Sequence, residues 1–110
     1  MYEIRVVKYF ATSSGKILFY DWYRRIKDPN TRRIISEFIR KLEIPSYKNF
    51  KSVGNGIFEL RIFYGPGYRV YFGFEDSQIV IILLGGDKTT QEQDIRLATK
   101  LWRNNLNEIR

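Results

Sequence analysis

Apolar and polar positions alternate most clearly over residues 57–74, IFELRIFYGPGYRVYFGF. Phe58, Leu60 and Ile62 fall on one face of a strand, and Val70, Phe72 and Phe74 on one face of a second. Between them, Gly65-Pro66-Gly67 supplies turn chemistry: proline presets φ at the first corner, and Gly67 can take the positive φ that a type II turn needs next. The segment therefore predicts a β-hairpin. Its other face carries Glu59, Arg61, Arg69 and Tyr71, an arrangement suited to holding an anion.

Elsewhere the period changes. Tyr2, Ile4 and Val6 alternate with Glu3, Arg5 and Val7, which predicts a first strand. After the Thr12–Gly15 loop, Leu18, Trp22 and Ile26 recur at helical spacing within 16–27. Asp28-Pro29 punctuates the chain, with Asp28 as a cap and Pro29 in the first turn of a new helix. Ile34, Ile35, Phe38, Ile39 and Leu42 continue that helix up to Ile44-Pro45, giving an αα-hairpin.

Residues 46–55 are predicted to be a polar loop carrying Lys48 and Lys51. Beyond the β-hairpin, Glu75-Asp76-Ser77 turns the chain into Ile79–Leu84, apolar on both faces as a central strand is. Gly85-Gly86-Asp87-Lys88 ends that strand. Thr90 and Gln93 suggest a capping box for a last helix, with Ile95, Ala98 and Trp102 on its apolar side and an end near Asn104-Asn105. The order is β-α-α-β-β-β-α: one α+β domain over residues 1–110, a helical hairpin on one face of a small, mainly antiparallel sheet, and the other face left to the charged residues.

Composition narrows the chemistry. There is no cysteine, which excludes disulfides and thiolate metal sites and fits a cytoplasmic location. No apolar run reaches the roughly 18–20 residues of a membrane span, and MYEIRVVKYF lacks the plan of a signal peptide. There is no histidine, so the usual general base and the commonest zinc ligand are both missing. The acidic residues are scattered, so no metal and no cofactor is expected. Nineteen Lys+Arg against twelve Asp+Glu give a net charge of +7, which suits nucleic acid or an acidic partner.

The segments ELRIFYGPGYRVYF and ILLGGDKTTQEQDI, with the MYEI opening and the helical hairpin, resemble the RelE/ParE superfamily of toxin–antitoxin toxins. They are most similar to its HigB-like, phage Gp49-related branch of addiction-module killer proteins. That resemblance implies a RelE-like fold and a toxin that cleaves mRNA on the ribosome. It also implies silencing by a cognate antitoxin of helix-turn-helix type, with operator DNA reached only through the antitoxin complex and no membrane partner. Two alternatives come from the same superfamily: a non-enzymatic, ParE-like inhibitor of DNA gyrase, and an inactive homologue acting as corepressor.

RNA cleavage of this kind runs through attack of a 2′-hydroxyl on the adjacent phosphate, and preorganised cations stabilise its electron-rich transition state. Arg61 and Arg69 then become the phosphate grip. Tyr71 becomes a base-stacking or proton-transfer group, Lys88 a phosphate or acid–base group after a glycine pair that admits a ligand, and Glu59 a base. Each has a plainer alternative: Arg61 and Arg69 as a solvated ladder with Glu59, Tyr71 as a strand aromatic, Lys88 as the partner of Asp87. Arg24, Arg25, Arg32 and Arg33 on the helical hairpin, with Lys48 and Lys51, are the candidate nucleic-acid contacts. Some members of the superfamily carry a catalytic tyrosine or histidine near the C-terminus, whereas this chain has neither after Tyr71.

Overall fold

The computed structural model describes residues 4–108, with side chains through Asn104. Five strands form one sheet: β1 (Val6–Tyr9), β2 (Lys51–Gly54), β3 (Ile57–Ile62), β4 (Tyr68–Asp76) and β5 (Ile79–Asp87). Three helices accompany them: α1 (Leu18–Arg25), α2 (Pro29–Lys41) and α3 (Gln91–Glu108). The spatial order is β1-β5-β4-β3-β2, with β1 parallel to β5 and the other pairs antiparallel. The fold is α+β and compatible with the RelE-like architecture.

The central hairpin has the expected faces. β3 and β4 pair Phe58 with Phe72, Leu60 with Val70, Glu59 with Tyr71 and Arg61 with Arg69. Leu60, Ile62, Val70 and Phe72 join Val80 and Ile82 of β5 beneath α1 and α2, which contribute Phe19, Ile35 and Ile39. Asp28 caps α2 as expected, its carboxylate accepting from the Asn30 amide at 3.2 Å, with Pro29 in the first turn. The hairpin turn sits one residue earlier than expected. The Gly67 amide donates to the Tyr64 carbonyl, so the corners are Gly65, at φ 59°, and Pro66.

Three other expectations fail. Residues 51–54 are a strand, not loop, closed onto β3 by Asn55-Gly56 with φ of 58° and 81°. The Asn-Gly pair accepts the positive φ of a two-residue hairpin turn. The first strand begins only at Val6, and Ile4 and Val6 are exposed while Arg5 is buried. As an edge strand, β1 turns Val7 and Tyr9 toward the helical hairpin. Tyr2 lies outside the described residues.

Finally, the second sheet face is not left open. α3 lies across it, packing Ala98 and Trp102 against Ile57, Tyr71, Ile81 and Leu83. That covering explains why β5 is apolar on both sides, and it restricts the charged group to one end of the sheet. α3 also runs on past Asn104-Asn105 to Glu108.

Candidate functional site

Cross-strand register gathers the charged face of the hairpin around Glu59. The Glu59 side chain has no solvent exposure. Its Oε2 accepts from the Tyr71 hydroxyl at 3.2 Å and from Gln91 Nε2 at 2.8 Å. Gln91 is the first residue of α3, so this bond also ties the helix to the sheet. Arg69 Nε lies 3.6 Å from Oε2, while Arg61 Nε and Lys51 Nζ lie 3.7 and 3.9 Å from Oε1. Burying a carboxylate is costly unless it is paired and hydrogen-bonded, and here three cations and two donors surround it. Glu59 Oε1 and the Nε atoms of Arg61 and Arg69 are buried without a hydrogen bond, so the ion pairs are electrostatic contacts and not closed bidentate forks.

The arginines differ in exposure. Arg69 is buried and donates through Nη1 to the Gly67 carbonyl at 3.1 Å. Arg61 is partly exposed, and its guanidinium lies 5.9 Å from the centre of the Phe63 ring. Two clefts meet along Arg61 and Phe63. One, of about 280 Å³, is lined by Arg61, Ile62, Phe63, Gly67, Arg69 and Lys88. The other, of about 200 Å³, is lined by Asn49, Phe50, Lys51, Glu59, Arg61 and Phe63. Arg61, Arg69 and Lys88 thus share one cleft, and Lys51 of β2 lines the other together with Arg61.

Phe63 and Gln91 were not among the sequence candidates. Phe63 breaks the alternation of β3, giving three consecutive apolar or aromatic positions at 62–64 just before a glycine turn, and that irregularity was the available signal. Nothing in the pattern around Gln91 marks its contact with Glu59.

Lys88 is exposed, on the rim of the larger cleft. Asp87 does not pair with it. The Asp87 carboxylate instead accepts from the Thr89 amide at 2.8 Å and the Thr89 hydroxyl at 2.6 Å. The Thr89 hydroxyl bond leads the effects that hold Asp87 below the usual carboxylate range. The capping box is thus Asp87 with Thr90, not Thr90 with Gln93. The glycine pair serves packing rather than a ligand. A Cβ on Gly85 would fall 2.3 Å from Trp22 Cε3, and one on Gly86 would fall 1.9 Å from Asp94 Oδ2.

Tyr71 is fully buried, so its ring has no face open to a nucleobase. Burial pushes its hydroxyl well above the ordinary value, and the Glu59 charge and hydrogen bond push it further in the same direction. The hydroxyl stays protonated as a donor to Glu59. Glu59 is buried, with three cations and two hydrogen-bond donors around its carboxylate.

The helical arginines do not converge on this face. α1 and α2 pack against the opposite side of the sheet. Arg24 pairs with Asp21 at 3.0 Å, and Arg33 with Glu37 at 2.7 Å. Arg32 donates to the carbonyls of Ile26 and Lys27, bracing the α1–α2 connection. Arg25 and Lys48 are exposed. Among the described residues no group of three or more acidic side chains could hold a metal ion, and no helix is long and apolar enough to cross a membrane.

Comparison with known proteins places these residues in a wider group. A family model described as phage derived protein Gp49-like matches residues 28–103, which span Lys51, Glu59, Arg61, Arg69, Tyr71 and Lys88. An uncharacterized protein of Haemophilus influenzae is 41% identical over 85 residues, covering 77% of this chain and 86% of that protein.

Proposed function

This chain belongs to the phage-derived Gp49-like family, part of the RelE/HigB-like grouping of toxin–antitoxin toxins, and we propose that it is a metal-independent endoribonuclease. In this proposal it acts in the cytoplasm, cuts mRNA on translating ribosomes and is neutralised by a cognate helix-turn-helix antitoxin. Operator DNA is met only through the antitoxin complex.

One observation carries the proposal: Arg61, Arg69 and Lys88 line a single cleft beside a buried carboxylate that fixes both arginines. A phosphodiester in that cleft meets cations already in position. During attack by the neighbouring 2′-hydroxyl, negative charge builds on the phosphate oxygens, where prepositioned donors act most strongly. Arg69, held by Gly67 and Glu59, is the rigid donor, and Arg61 closes from the exposed side. Lys88, at the rim, donates a proton to the departing 5′-oxygen, while solvent water takes up the proton released by the attacking 2′-hydroxyl. Glu59 and Tyr71 act behind them by positioning. The chemistry calls for no histidine, and the chain contains none.

The test is expression in a translating extract, with mRNA ends mapped by primer extension. Discrete cuts that require ribosomes and vanish in Arg61→Ala and Lys88→Ala are the expected result. Intact mRNA alongside a loss of DNA supercoiling activity would move the assignment to gyrase inhibition.

A further inference from the structure

We infer that Phe63 is the stacking platform for one unpaired base of the RNA, and that the phosphates on either side of that base enter the two clefts meeting at Arg61. The inference rests on the nuclease reading of those clefts and adds to it the form of the substrate, a single strand crossing the hairpin edge.

Phe63 is 78% exposed, more than any other large apolar side chain among the described residues. A lone exposed apolar residue needs no explanation by itself. Its position supplies one. Phe63 lines both clefts, sharing one with Lys51 and the other with Arg69 and Lys88. Cations therefore flank an aromatic ring on two sides, the arrangement that binds unpaired nucleic acid: charge follows the backbone while bases stack on rings. The Arg61 guanidinium over the ring adds a cation–π contact that can also act on a stacked base.

The platform is also braced. The Tyr64 amide donates to the Ile62 carbonyl at 2.8 Å, and the Gly67 amide to the Tyr64 carbonyl at 3.2 Å. The Tyr64 hydroxyl accepts from Asn30 Nδ2 at 3.2 Å, anchoring the tip to the start of α2. A ring held on so constrained a backbone loses less freedom on binding than one on a loose loop. Bases inside a duplex are stacked on each other and present no face to such a ring, so the site selects unpaired RNA.

The probe is a short single-stranded RNA carrying 2′-O-methyl groups so that it is not cut, with 2-aminopurine moved along its length. Wild type should quench 2-aminopurine at one position. Phe63→Ala should weaken binding roughly ten- to hundredfold, with thermal stability unchanged because the side chain is exposed. Phe63→Trp should restore binding and Phe63→Leu should not. An abasic nucleotide at the quenched position should erase the difference between wild type and Phe63→Ala.

Equal binding by wild type and Phe63→Ala overturns the inference, as does equal affinity for the duplex form. Phe63-dependent binding in a protein that leaves mRNA intact keeps the platform and removes the nuclease. Cleavage with kcat and KM unchanged in Phe63→Ala keeps the nuclease and removes the platform. Loss of affinity for a protein partner, with RNA binding intact, assigns Phe63 to that partner instead and also overturns the inference.

Discussion

The Tyr71 hydroxyl donates to Glu59 across the β3–β4 pair at 3.2 Å, and both side chains are buried. This bond makes Glu59 the hub that fixes Arg61, Arg69 and Lys51. Glu59→Gln keeps a hydrogen-bond acceptor but removes the carboxylate that forms the ion pairs with these three cations. Leaving a buried charge unpaired is strongly destabilising, and Arg69 is the cation that cannot retreat to water. The variant should lose about 3 kcal/mol of stability, read as a lower urea midpoint. It should also bind inorganic phosphate more tightly, because two arginines lose their internal anion. A variant as stable as wild type, with unchanged phosphate affinity, would refute the hub.

Tyr71→Phe keeps the packed ring and deletes the donor. A hydrogen bond to a charged group is worth about 2 kcal/mol, which sets the expected loss. The alkaline dependence should change as well. Tyr71 is raised above its ordinary 10.0 by burial first and by Glu59 second. As pH climbs past about 10, the unfolded chain releases this proton while the folded chain keeps it, so stability falls. The variant should show a shallower alkaline decline. Tyr9, also raised by burial, remains in both proteins and leaves part of the slope. Denaturation midpoints measured between pH 8 and pH 11, roughly the range where unfolded tyrosine titrates, check this.

How far the sequence revealed this molecule follows from what each signal encodes. A period of two over residues 58–62, resumed over 68–74, specifies both strands and which face is buried. Asp28-Pro29 locates the start of α2 because the carboxylate caps a free amide and the proline fits the first turn, where its missing N–H costs nothing. β2 was missed because Lys51 and Ser52 are polar and exposed on a short, bulged edge strand, although Asn55-Gly56 carried the turn signal. Glu59 read as solvent-facing because alternation reports which face a residue is on, not what covers it. The burial is tertiary: α3 starts 32 positions downstream, and its Gln91 completes the enclosure. The same limit misassigned the role of Gly85-Gly86, whose neighbours Trp22 and Asp94 come from separate helices.

Those two glycines should respond differently to alanine. At Gly85 the new methyl meets the Trp22 ring at 2.3 Å, and the indole lies wedged between α1 and β5. Overpacking of this kind costs about 1–3 kcal/mol, and Gly85→Ala should fall at the upper end. At Gly86 the clash is with the end of a carboxylate, Asp94 Oδ2 at 1.9 Å, backed by Thr90 Oγ1 at 2.8 Å. Gly86→Ala should therefore be partly rescued by Asp94→Ala. Thermal denaturation of the singles and the double will show non-additivity. Strict additivity would mean that Asp94 is not the obstacle.

The arginines provide the sharpest test because their burial separates chemistry from folding. Arg61 is partly exposed and Arg69 almost wholly enclosed. Arg61→Ala should lower the cleavage rate about hundredfold, the cost of removing one preorganised donor, while the melting temperature holds. Arg69→Ala should lower both, since it empties a buried slot beside Glu59 and removes the bond to Gly67. Lysine at either position keeps charge without the planar fork. Arg61→Lys should retain part of the activity, because an ammonium at the open side still reaches a phosphate. Arg69→Lys should retain little, because a lysine there cannot meet Gly67 and Glu59 with the same geometry. Single-turnover rates read beside melting curves decide the matter. Equal losses of rate and stability at both positions would make the pair structural. A rate loss at Arg61 with folding intact would place Arg61 at the reacting phosphate.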